Sequence, residues 1–238
     1  MTRPQSQAQP ATTVVDLEVS TVRELNRALH GVPRDAAPST WRVRNPAGRH
    51  SVAVGLNRDL HVEIDGHVGY YCAGMNQRAT VDVRGNAGVG VAENMMSGRV
   101  HVHGDASQAA GATAHGGLLV VEGGASARCG ISMKGVDIVV GGNVGHSSAF
   151  MAQAGRLVVC GDAGHGLGDS LYEARIYVRG SVRSLGADCV EKPVGPEHLA
   201  ELGALLAVAG RDDDPAGFRR YGSARTLYNF HPDNADAY

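Results

Sequence analysis

The chain has 238 residues, 43% of them hydrophobic, with 22 basic and 24 acidic side chains and a formal net charge of −2. The charges are interspersed, and no basic stripe interleaves with aromatics, which excludes nucleic acid as a partner. No apolar run reaches the ~18 residues of a membrane-spanning helix, and the start MTRPQSQAQPATT lacks a signal peptide's apolar stretch, so a cytoplasmic chain with no membrane partner is expected.

In chain order, residues 1–13 are rich in Gln, Ala, Pro and Thr and read as disordered. Residues 14–40 hold a capping strand, a helix and a linker. Thr21-Val22-Arg23-Glu24 is a capping box that opens a helix through about Leu29, Gly31 stops it, and VPRDAAPST links onward. Residues 41–190 are the body. Trp41, Val43 and the turn Asn45-Pro46-Ala47-Gly48 begin an irregular first coil, and Ser51 to Leu56 pairs onto the column that follows.

That column is set by Gly66, Gly85, Gly104, Gly123, Gly142, Gly161 and Gly180, which stand 19 residues apart without a slip. Each follows an apolar residue four positions before and another two before, from Val62/Ile64 to Ile176/Val178, the alternation of a strand with one buried face. Two residues after each glycine lies Val or Ala; seven after lie Ala73, Ala92, Gly111, Gly130, Ala149, Gly168 and Ala187, all Ala or Gly. A fixed period too short for a helix-containing unit is the signature of a solenoid. The repeat predicts an all-β, right-handed parallel β-helix of seven coils, roughly 30–35 Å tall at about 4.8 Å per coil. Hexapeptide left-handed helices are the rival, but their period is a multiple of six.

Residues 191–238 hold a second helix and an arm. Gly195-Pro196-Glu197 starts the helix, with Leu199, Leu202, Leu205 and Leu206 on one face, and RRYGSARTLYNFHPDNADAY follows as an extended arm. Both helical regions read as caps, because an open last coil is a row of unpaired backbone groups.

Gly164-His165-Gly166-Leu167-Gly168 is a literal G-x-G-x-G, embedded in G-[DN]-A-G units such as Gly85-Asn86-Ala87-Gly88 and Gly161-Asp162-Ala163-Gly164. Over about residues 14–230 the chain resembles the GXGXG β-helix domain that ends the large subunit of glutamate synthase. It also resembles the free-standing β-helix subunit of N-methylglutamate synthase and, more distantly, the corresponding scaffold subunit of formylmethanofuran dehydrogenase. The resemblance implies a structural, coupling subunit of a hetero-oligomer that scaffolds a class II glutamine amidotransferase and an FMN-dependent glutamate synthase-like subunit. FMN, alone or with an iron–sulfur cluster, then belongs to the partner subunits. This chain is expected to carry no catalytic, cofactor-binding or metal-binding residue. Alternatives are the formylmethanofuran dehydrogenase-type scaffold and an independent β-helix binding protein or polysaccharide-type enzyme. The enzyme needs clustered carboxylates, and Glu63, Asp82 and Glu122 read as scattered.

The remaining candidates are modest. His146 and His165 share a column on adjacent coils, about 5 Å apart by strand stacking. They read as a polar ladder more readily than as a metal pair or proton relay. His101 and His103 read as separate surface histidines, and Glu93 and Asn94 as a solvated turn. Cys72 and Cys129 lie roughly 14 Å apart by coil stacking, beyond disulfide reach, and Cys160 and Cys189 fall in other columns, so four free thiols are expected. On the outward strand position three before each glycine stand Glu63, Asp82, His101, Val120, Val139, Val158 and Tyr177. Val120, Val139, Val158 and Tyr177 form an apolar stripe that needs a cover, either the chain's own Leu199–Leu206 helix or a partner subunit, and they are the candidate partner interface.

Overall fold

The computed structural model describes residues 12–224. Of the disorder expected over residues 1–13, residues 1–11 lie outside that span, as does the arm beyond residue 224; Thr13, expected as disordered, is instead the first residue of a strand. Strands β1 (Thr13–Asp16), β2 (Ser39–Arg44), β3 (Leu60–Asp65), β4 (Thr80–Val83) and β5 (Arg99–Val102) open a single sheet. It continues through β6 (Leu118–Val121), β7 (Lys134–Val140), β8 (Ala154–Val159) and β9 (Arg175–Val178), all parallel and each beside its neighbour in sequence. From β3 to β9 the register advances by one 19-residue repeat per strand, as in Val62↔Val81 and Val139↔Val158, apart from a shift at the start of β7, where Lys134 faces Ala154. The first step is longer: Ser39 faces Leu60, two residues beyond the period, which is the irregular first coil. The chain is thus a parallel β-solenoid of about seven turns, as the glycine spacing requires.

Each coil has three kinds of wall. The strand supplies the inward Val, Leu and Ile residues of a continuous core. A second ladder runs through single bridges, Val68↔Ala87 onward to Ala163↔Val182. The third wall alternates left-handed residues, for example Tyr71 (φ 60°), Ala73 (54°) and Met75 (55°), and it still hydrogen-bonds from coil to coil: the Ala92 N–H donates to the Cys72 carbonyl. A side chain in that conformation costs about 1–2 kcal/mol, so glycine is favoured there. Gly166 and Gly168 both sit at φ 69°.

The 19-residue glycine column has a different cause. Gly161 is not left-handed; a Cβ on it would stand 2.7 Å from the Gly142 carbonyl carbon. Successive glycines hydrogen-bond directly, Gly161 N to Gly142 O at 3.0 Å and Gly180 N to Gly161 O at 3.0 Å. The Asn or Asp that follows four of these glycines, Asn86, Asp105, Asn143 and Asp162, extends the ladder. Asn143 Oδ1 accepts from Asp162 N at 2.7 Å, and Asp162 Oδ1 accepts from Ser181 N at 2.6 Å. The G-[DN]-A-G unit is therefore one corner, repeated: no room for a Cβ, then a side-chain acceptor for the next coil's N–H.

Helix α1 (Val22–Gly31) has the expected capping box at Thr21. It lies over the first coil, where Asn26 Nδ2 donates to Ser51 O, Asn26 Oδ1 accepts from Ala53 N, and Leu25 and Leu29 enter the core. At the other end the expectation of a helical cap is corrected. The edge of β9 is covered by β11 (Arg219–Ser223), antiparallel to it, and β11 pairs in turn with β10 (Cys189–Lys192). Arg219–Ser223, read from sequence as arm, is thus strand. Helix α2 (Pro196–Ala209) lies instead on the outer face of the sheet. Among the described residues, no helix is long and apolar enough to cross a membrane.

Candidate functional site on the outer sheet face

The outward column is built by the ladder itself: Glu63↔Asp82, Asp82↔His101, His101↔Val120, Val120↔Val139, Val139↔Val158 and Val158↔Tyr177 are direct strand partners. The face divides in two. Val120, Val139, Val158 and Tyr177 are at most 1% exposed, packed with Leu202, Leu205, Leu206 and Ala209 of α2 and with Phe218. Of the two covers the stripe allows, the chain's own helix is the one present, so these four side chains are not a free surface for a partner. Ion pairs lash the helix down. Arg156 grips Asp137 and also reaches Glu201, Arg175 pairs with Glu201 at 2.6 Å, and Arg179 and Arg211 share Asp213. The Tyr177 hydroxyl is buried there without a hydrogen-bond partner among the described residues, and burial pushes its phenol up.

The other half, on β3 to β6, carries the polar residues. His101 on β5 is directly beside Asp82 on β4, with Nδ1 3.6 Å from Asp82 Oδ1. His103, two residues on and therefore on the same face, stacks on His101 with ring centroids 4.1 Å apart. Glu122 Oε1 stands 2.9 Å from His101 Nε2 and 3.1 Å from His103 Nδ1. Although the first contact is short, the buried His101 Nε2 makes no well-formed hydrogen bond among the described residues. Asp82 uses its other oxygen, Oδ2, to hold His61 Nε2 at 2.6 Å. Burial, with repulsion from His103, lowers the proton affinity of His101, whose side chain is 16% exposed; Glu122 and Asp82 act the other way. Ligand atoms of Asp82, His101 and His103 all lie within 4.8 Å of one another, the one such group of three among the described residues.

The two histidines read as separate are therefore one cluster, and two of the three carboxylates read as scattered, Asp82 and Glu122, join it. The signal was available: Asp82 and His101, like His103 and Glu122, are one repeat apart. His146 and His165 form no such cluster; both are exposed, and His165 Nδ1 lies 3.3 Å from Ser184 Oγ. Asn94 belongs to a corner ladder, accepting from Thr113 Oγ1 at 2.6 Å. Gly166 and Gly168 supply left-handed backbone, whereas Gly164 is a close-approach glycine whose Cβ would meet Gly145 and His146 backbone at 2.8 Å. All four cysteines are free, as expected, and all four are buried.

No protein-family model matches the chain. Protein GlxC of Rhizobium meliloti (strain 1021) is 61% identical over 226 residues, which are 94% of this chain and 99% of that protein. At that identity over nearly all of both chains, this protein belongs to the GlxC family.

Proposed function

We propose that the chain is a non-catalytic structural and coupling subunit of a glutamate synthase-like complex, making glutamate or N-methylglutamate. It holds a class II glutamine amidotransferase and an FMN-dependent synthase subunit at fixed distance, and its coils wind right-handed. The observation that carries this reading is the coil itself. The G-x-G-x-G and G-[DN]-A-G residues are spent on close backbone approach, left-handed corners and inter-coil hydrogen bonds, which produces rigidity rather than a substrate pocket. Resemblance to the GXGXG domain supplies the kind of complex. Ammonia released at one active site must reach the other without escaping to water, and a stiff spacer contributes to that coupling through geometry. The cytoplasm is the compartment where both partners work.

The reading is tested by a pull-down of the tagged chain from its host at mild salt, with mass spectrometry and a flavin absorbance scan. Co-purification of an amidotransferase and a yellow FMN protein is expected. Recovery of the chain alone and colourless, or with molybdopterin subunits, would overturn it.

A further inference from the structure

We propose that Asp82, His101 and His103 bind one divalent transition-metal ion of the zinc class, on the part of the outer sheet face that α2 leaves uncovered. The donor set is two imidazoles and a carboxylate, which suits zinc-type ions and is unlike the all-oxygen sets of magnesium and calcium. Three protein ligands leave a position for water or for an anionic group.

Four observations carry the assignment. First, the ligand atoms already lie within 4.8 Å of one another. Second, the backbone positions are fixed by a continuous parallel ladder in which Asp82 and His101 are direct partners. Third, an outer shell is in place. His61 holds Asp82 Oδ2 and leaves Oδ1 toward His101, and Glu122 Oε1 lies 2.9 Å from the far nitrogen of His101, near enough to accept from it once the ring turns onto an ion. Fourth, neither carboxylate has an arginine or lysine as ion-pair partner among the described residues. Among the described residues Asp82 and Glu122 take histidines alone as ion-pair partners, while the nearby Arg84 pairs with Glu63 and Asp65.

The test uses the untagged full chain, stripped with EDTA and titrated with zinc by calorimetry. One zinc per chain is expected, with affinity falling at least about 100-fold in His101→Asn and in His103→Asn. His146→Asn/His165→Asn is expected to bind as the parent does. Zinc raises the urea midpoint of the parent and of that double variant, but not of the cluster variants. Cobalt substitution is expected to show no thiolate charge-transfer band. Parent protein that binds zinc no tighter than roughly 100 µM overturns the proposal whether or not any variant folds. So does unchanged affinity in His101→Asn, or a thiolate band. The calorimetry needs no partner subunit, so its failure leaves the scaffold reading intact.

Discussion

Ile138 fills the space that Gly111 leaves one coil below it: a Cβ on Gly111 would stand 2.6 Å from Ile138 Cδ1. The relation recurs within coils. Gly168 faces Ile176 Cδ1 at 2.9 Å, and Gly130 faces Ile138 Cδ1 at 3.3 Å. Where the strand residue is the smaller Val81 or Val100, the position eight before it is Ala73 or Ala92 rather than glycine. Except where Leu157 follows Ala149, the two columns trade volume, which keeps the interior close-packed from coil to coil.

Gly111→Ala is accordingly expected to destabilise the chain by about 1–3 kcal/mol through overpacking. Ile138→Val removes the Cδ1 in the way and by itself costs about 0.5–1.5 kcal/mol. The double variant is expected to cost less than the two singles together, read from urea unfolding as a double-mutant cycle. Strict additivity would show that the strain at Gly111 is backbone conformation alone.

Leu202 of α2 is fully buried over the Val120–Tyr177 stripe. Leu202→Ala is expected to cost about 2–5 kcal/mol. Leu202→Asp should lift the helix, bind a hydrophobic dye and drive self-association, with far-UV circular dichroism of the sheet retained. A dye-silent, monomeric Leu202→Asp would show that α2 is not what keeps the stripe covered.

Asp213 is almost wholly enclosed between Arg211 and Arg179, and the hydrogen bond from Arg211, with both guanidinium charges, holds its carboxyl below the usual carboxylate range. A folded-state value below the unfolded one means the stabilisation is fully present above the unfolded value near 3.8 and is lost as pH falls through the folded value. Asp213→Asn should therefore unfold at lower urea than the parent at pH 7. The gap should close as pH drops below about 4. A gap that does not change with pH would assign the effect to packing.

Burial pushes the thiols of Cys72 and Cys129 up to about 12 and those of Cys160 and Cys189 up to about 11. A thiol-disulfide reagent at about pH 8 is expected to titrate none of them in the native chain and all four in denaturant, because the thiolate is the reactive form and neither it nor the reagent has access. Fast reaction of one native thiol would identify a coil that opens locally.

The repeat made most of the fold legible. Glycines one period apart, each preceded by two inward apolar residues, dictate a strand per coil and its register, and the Thr21 capping box places α1 to within two residues. Periodicity works here because every coil repeats the same local problem. The tertiary structure decided what repetition does not encode. Whether α2 closes the column's end or lies along its face depends on the path of residues 189–195 and on ion pairs such as Arg175–Glu201 between distant segments. That Tyr71, Ala73 and Met75 are left-handed is a backbone answer to stacking coils, invisible in residue types that rarely adopt it. The His101–His103 cluster lay between. Its members sit at one-repeat spacings in the sequence, but their convergence on Asp82 and Glu122 required side chains from three strands to turn toward one another on a face left open by where α2 lies.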